Sequence, residues 1–133
     1  MKFTYPLTIL ETHLDTFGHM NNATYLQLFE QARWEIITER GFGLKVIQEK
    51  QIGPVILEIH IRFIKELKLR QKVNIVTTVE EYSGKIGKLK QVMEDESGEV
   101  YTEAIFTLGF FDMRLRKLIP PTKEWLNALG IQT

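Results

Sequence analysis

From Asn22 to about Arg40 the chain reads as one long helix that is apolar around most of its circumference. Tyr25, Leu26, Leu28, Phe29, Ala32, Ile36 and Ile37 recur at helical spacing and form a broad apolar surface. Only a narrow polar stripe remains, made of Thr24, Gln27, Gln31, Glu35 and Thr38. Asn21 or Asn22 suits the N-cap, and Gly41 or Gly43 suits the end. A helix with so little polar surface must be covered on most sides. The rest of the chain has to supply that cover.

It reads as strands. Residues 2–10 alternate loosely and predict a first strand, and residues 11–21 predict a polar loop. After Pro54 the period changes to two. Ile59, Ile61 and Phe63 share one face of a strand, and Glu58, His60 and Arg62 share the other. The β-branched run 72–82 predicts another strand, SGKIG at 83–87 a turn, and 88–94 and 99–112 two more strands. Pro120 and Pro121 stop the last of these, and residues 122–130 read as a short terminal helix ending at Gly130. The order is strand, long helix, then four strands joined by tight connections, which pair antiparallel. One apolar helix on one antiparallel sheet of about five strands is an α+β arrangement.

Composition narrows the function classes. The 133 residues are one domain's worth, so a single domain over 1–133 is expected. Lys plus Arg and Asp plus Glu stand at 17 each, without the basic excess of a dedicated nucleic-acid binder. There is no cysteine, hence no disulfide, thiolate nucleophile or Cys-based zinc site, which fits a cytoplasmic protein. The N-terminus does not read as a signal peptide, and no run approaches the roughly 20 apolar residues of a membrane span.

The stretch that carries chemistry is His13-Leu14-Asp15-Thr16-Phe17-Gly18-His19-Met20-Asn21-Asn22-Ala23-Thr24-Tyr25. It sets an acid, two imidazoles, two amides and a glycine just before a helix. A helix N-terminus offers unpaired backbone N–H groups and a partial positive charge. Such groups can stabilise an oxyanion, and a nearby carboxylate can attack a carbonyl or activate a water. Gly18 would let the backbone approach a ligand closely. On pattern alone the simpler reading stands beside this one: Asp15 and the Asn pair shape a turn and cap the helix. His13, Asp15 and His19 could also suggest zinc, but no further strong ligand sits at recognisable spacing, so no metal is expected.

The run D-x-x-G-H-x-N-N-x-x-Y leading into L-x-x-F-E-x-A-R resembles the 4-hydroxybenzoyl-CoA thioesterase family of hotdog proteins. It is carried by Asp15, Gly18, His19, Asn21, Asn22 and Tyr25, then Leu26, Phe29, Glu30, Ala32 and Arg33. The remainder agrees in order and length over roughly residues 3–115. The resemblance implies a long central helix wrapped by an antiparallel sheet and hydrolysis of an acyl-CoA thioester to free acid and coenzyme A. It implies Asp15 as the catalytic carboxylate, by direct attack or through water, and the Asn22 backbone N–H as the donor to the thioester oxygen. Gly18 would sit where the acyl group passes, His19 and Asn21 near substrate, and Tyr25 between the helix start and the sheet. The family's site lies at a subunit interface, so a homodimer or homotetramer is expected, with Glu58, His60 and Arg62 as candidate contributions from the second subunit.

Some branches of the family use a helix Glu as the acid. Here Glu30 and Glu35 lie two or more turns into the helix, and Glu30 is expected to pair with Arg33 at i, i+3. Lys65, Lys68, Arg70, Lys72, Lys85, Lys88 and Lys90 are candidate partners for coenzyme A phosphates, or simply solvated strand ends. No organic cofactor is implied. The alternative function is a hotdog protein that binds acyl-CoA or an acyl chain without turnover. A hotdog dehydratase ranks last, because the motif does not resemble that chemistry's signature.

Overall fold

The long helix and the run of β-branched segments form as expected in the computed structural model, which describes residues 1–132; Thr133, the last residue of the expected domain, lies outside them. The elements are β1 (Lys2–Thr8), α1 (Asn22–Glu39), α2 (Leu44–Lys50), β2 (Ile52–Phe63), β3 (Lys72–Ser83), β4 (Ile86–Glu94), β5 (Val100–Asp112), β6 (Lys117–Ile119) and α3 (Lys123–Ala128). A single 3₁₀ turn, Glu11–His13, opens the segment expected to be loop.

All strand pairs are antiparallel, in the order β1-β3-β4-β5-β2, with β6 pairing the far end of β5. The sheet curls around α1. Its concave face carries Tyr5, Ile75, Met93 and Thr102 in one cross-strand row and Phe3, Thr77, Gln91 and Ala104 in the next. Phe29 and Ala32 of α1 are fully buried against it, and Phe29 meets Phe106 edge to face at 6.0 Å. This covers the apolar helix surface, and burial at roughly 25 cal/mol per Å² is what holds the two layers together.

The C-terminal end of the core is aromatic. Trp125 of α3 stacks on Phe110 at 5.4 Å and meets Phe42 at 5.5 Å. Thr122 caps α3 by accepting the Trp125 N–H at 3.2 Å. So β5 is buried on the concave side by α1 and α3, while Glu103, Ile105, Thr107 and Phe111 on its outer side are only half-buried.

Three features differ from the expectation. The chain forms a seven-residue helix, α2, before the second strand. That strand begins at Ile52 rather than after Pro54, and Pro54 sits opposite Phe110. A proline is tolerated there because β2 is an edge strand whose free side needs no donor. The sixth strand, β6, returns on β5 after a turn at Asp112–Arg116, in which Asp112 accepts the Arg114 and Leu115 N–H groups at 2.9 Å.

Candidate active site

Residues 14–20 form a small closed loop at the start of α1. Leu14 and Met20 pair as an antiparallel bridge at its base. The Asp15 N–H donates to the His19 carbonyl at 2.9 Å, and the Gly18 N–H donates to the Asp15 carbonyl at 3.0 Å. Inside the loop, Asp15 Oδ1 accepts the N–H groups of Phe17 at 2.9 Å and His19 at 3.1 Å. One carboxylate oxygen therefore builds the loop. Among the described residues the other, Oδ2, has no protein partner, and Asp15 is exposed. The turn reading and the catalytic reading of Asp15 are compatible, one for each oxygen.

Gly18 has φ +76°, a conformation that favours glycine, while a Cβ there would meet nothing within 4 Å. Its conformation, rather than a close contact inside this chain, explains the glycine. Met20, 9% exposed, anchors the loop to the core.

The helix begins two residues past the bridge. Asn21 is the N-cap, with extended backbone, and its Oδ1 accepts the Ala23 N–H at 2.8 Å; the Asn22 Oδ1 lies 2.9 Å from the same N–H. The Asn22 N–H itself has no acceptor among the described residues. A carboxylate oxygen in the loop and an N–H at the helix start that follows it are thus both free among the described residues. Tyr25, one turn on, is 6% exposed and meets Phe63 of β2 edge to face at 4.9 Å. Burial raises the pKa of its hydroxyl.

An open hollow lies beside this loop, lined by His19, Asn22, Tyr25, Phe63, Lys65 and Glu66 among others. His19 Nε2 lies 3.4 Å from a Glu66 oxygen. Glu66 escaped the sequence reading because nothing local marks it; only the fold brings residues 63–66 to the helix start. His13 turns away from this group, its Nδ1 accepting the Leu10 N–H at 2.9 Å.

Glu58, His60 and Arg62 stand opposite Thr107, Ile105 and Glu103, on the outer face of the sheet. Ile59, Ile61 and Phe63 stand opposite Phe106, Ala104 and Thr102, on the α1 side. A single chain therefore sets the three polar residues on the far side of the sheet from the hollow. Among the candidate phosphate partners, Lys65 pairs with Glu99 at 2.7 Å, Arg70 with Glu11 at 2.7 Å and Lys90 with Glu103 at 3.1 Å.

Arg33 does not pair with Glu30. Its Nη1 donates to Gln91 Oε1 at 2.9 Å, and its guanidinium lies over the Phe106 ring at 4.3 Å. Burial lowers its pKa to about 10, against a smaller raising effect from Glu30. Gln91, fully buried, in turn donates to the Phe29 carbonyl and to Thr77 Oγ1, both at 3.0 Å.

A family model for the Thioesterase-like superfamily matches residues 10–129, a span that includes the loop, the helix and the sheet strands β2 to β6. The chain belongs to this superfamily. The resemblance drawn from the loop motif is thereby borne out. Long-chain acyl-CoA thioesterase FadM of Escherichia coli (strain K12) is 31% identical over 108 residues, covering 80% of this chain and 81% of the relative. YbaW, a probable thioesterase from Escherichia coli, superposes with a TM-score of 0.82 at 28% identity, covering 95% of each chain. SAV2348 of Staphylococcus aureus, solved in complex with CoA, superposes with a TM-score of 0.89 at 18% identity, covering 100% of this chain and 87% of that one, a likeness of fold. The fold is the hotdog arrangement. Among the described residues no helix is long and apolar enough to cross a membrane.

Proposed function

We propose that this superfamily member is an acyl-CoA thioesterase that hydrolyses its substrate to a free acid and coenzyme A, with Asp15 as the reacting carboxylate. One observation carries the reading: Asp15 is held by Oδ1 while Oδ2 stays free, on the loop that ends at the free Asn22 N–H. In the water route, Oδ2 takes a proton from water as its oxygen attacks the thioester carbon. The carbonyl oxygen becomes an oxyanion on the Asn22 N–H, where the helix start favours negative charge. The C–S bond then breaks, and the proton passes from Asp15 to the leaving thiolate. In the direct route Oδ2 attacks the carbon, thiolate leaves, and water cleaves the resulting anhydride. The similarity to FadM supports an acyl-CoA substrate.

The same reading includes a homodimer built on β2. This 12-residue edge strand exposes Leu57 (46%), Ile59 (41%) and Phe63 (51%). A long apolar edge is an aggregation hazard unless something pairs with it. A second copy paired along β2 would cover these side chains and set its own residues beside the hollow at Phe63. Glu58, His60 and Arg62 would then be tested as contributions from that copy.

The test is thiol release from short, long and aromatic acyl-CoA esters, comparing wild type with Asp15→Asn. The chain has no cysteine, so a thiol-reactive dye sees only product. Turnover that collapses in Asp15→Asn supports the assignment. Equal turnover by both proteins removes Asp15 from the mechanism. Tight acyl-CoA binding with no turnover across the panel would favour the non-catalytic binder.

A further inference from the structure

A second cavity lies further along α1, between the helix and the concave face of the sheet. Its volume is about 130 Å³. Its walls are mostly apolar, with Trp34, Ile36, Val79, Leu89 and Leu108 among them, and it borders the surface at the exposed Glu30. Arg33 lines it from one side and Trp125 from another.

Arg33 brings unused donors. It has five N–H groups, of which one is engaged, with Gln91. No carboxylate pairs with it among the described residues, although it is largely withdrawn from water against Phe106. Trp125 is 2% exposed, and its indole N–H is directed at the Tyr82 hydroxyl. A cation in an apolar wall is stabilised by an acceptor that brings negative charge. Size limits the rest of such a ligand. An apolar cavity of roughly 150 Å³ holds a benzene molecule.

We infer that this cavity binds a small carboxylic acid, with its carboxylate on Arg33 and an apolar part about the size of a benzene ring or a five-carbon chain. Arg33 lies eleven positions beyond Asn22 on α1, roughly 16 Å at the helical rise. The site is therefore separate from the loop of Asp15, and its occupancy does not depend on the chemistry proposed there.

The protein reports on this cavity by itself, because its two tryptophans, Trp34 and Trp125, both line it. Full-length protein is titrated with hexanoate and with 1-hexanol, which has a tail of similar length and a neutral head, while tryptophan fluorescence is followed. The expected result is a saturable change with hexanoate, at least tenfold tighter than with 1-hexanol. Arg33→Met should erase that preference, and Asp15→Asn should keep it. If Arg33→Met fails to fold by circular dichroism, Ile36→Phe, which fills the cavity from the helix side, should weaken hexanoate at least tenfold. No saturable change, equal affinity for acid and alcohol, an undiminished preference in folded Arg33→Met, or loss of binding in Asp15→Asn would each overturn the inference.

Discussion

The Tyr25 and Phe63 rings meet edge to face, 4.9 Å apart and inclined at 62°. The contact ties the first turn of α1 to the last residue of the edge strand β2. Tyr25 is buried, but Phe63 is 51% exposed, so the ring covers the helix start and still leaves half its surface for something else. The candidate active-site loop is thereby braced against the edge where a second copy is proposed to pair.

Ile59→Lys should abolish that pairing. Ile59 is 41% exposed on the same edge and stands on the α1 side of β2, so a lysine ammonium would lie where the partner's apolar strand arrives. Edge lysines are a common device for blocking strand pairing. Sedimentation velocity should show wild type as a dimer or larger and the variant as a folded monomer. Thiol release should fall with assembly if the second copy completes the site. A variant that remains dimeric would place the interface elsewhere.

Asp15→Asn and Asp15→Ala should separate the two duties of the acid. Asparagine keeps an Oδ1 that can accept the Phe17 and His19 N–H groups, so the loop should persist while the charge is lost. Turnover should fall at least about 10²-fold, the lower end of what a positioned base contributes. Alanine removes the acceptor as well and should additionally lower stability by about 0.5–2 kcal/mol, as loss of a cap does. Urea unfolding distinguishes the two. An Asp15→Ala variant as stable as Asp15→Asn would show that Oδ1 does not hold the loop.

The long helix and the four main strands were legible because their periods differ and their runs are long. The loop motif was legible because it concentrates chemistry in thirteen residues ahead of a helix. The missed elements are short. The seven residues of α2 contain only Leu44, Val46 and Ile47 as apolar positions, too few to establish a period. The three residues of β6 gain their strand conformation from β5, not from their own pattern. Arg33 shows the limit on contacts. Local spacing offered Glu30, but the partner is Gln91, 58 positions away, and sequence spacing carries no sign of it. Glu66 came to the hollow in the same way, through the path of the chain after β2.

The turn between β4 and β5 should make stability depend on pH on the acid side. Asp95 Oδ1 accepts the Ser97 hydroxyl at 2.6 Å, the Ser97 N–H at 2.9 Å and the Glu99 N–H at 3.1 Å, and Oδ2 accepts the Tyr101 hydroxyl at 3.0 Å. The Ser97 hydroxyl bond is the largest cause holding its pKa below the usual carboxylate value of 3.8. A carboxyl depressed in the folded state contributes stability above its unfolded pKa and loses it as pH falls through the folded one. Asp95→Asn should therefore be less stable than wild type at neutral pH, and the difference should shrink as pH falls below about 4. Thermal melts from pH 7 to pH 3 measure it. A gap that stays constant across that range would mean the lost hydrogen bonds, not the charge, account for the change.

Gly87 and Tyr82 form a cross-strand pair between β4 and β3, with the tyrosine ring laid over the glycine. A Cβ at Gly87 would come within 2.6 Å of two ring carbons of Tyr82. The backbone φ there is not in the left-handed region, so the glycine is required for space and not for conformation. The Tyr82 hydroxyl is buried, which restricts how far the ring can move aside. Gly87→Ala should destabilise the protein by about 1–3 kcal/mol, the usual range for overpacking a filled site. Tyr82→Ala should remove the clash, so adding Gly87→Ala to it should cost much less than in the wild-type background. Equilibrium unfolding in urea of the two single variants and the double variant gives the coupling directly. Strictly additive losses would show that the ring does not dictate glycine at position 87.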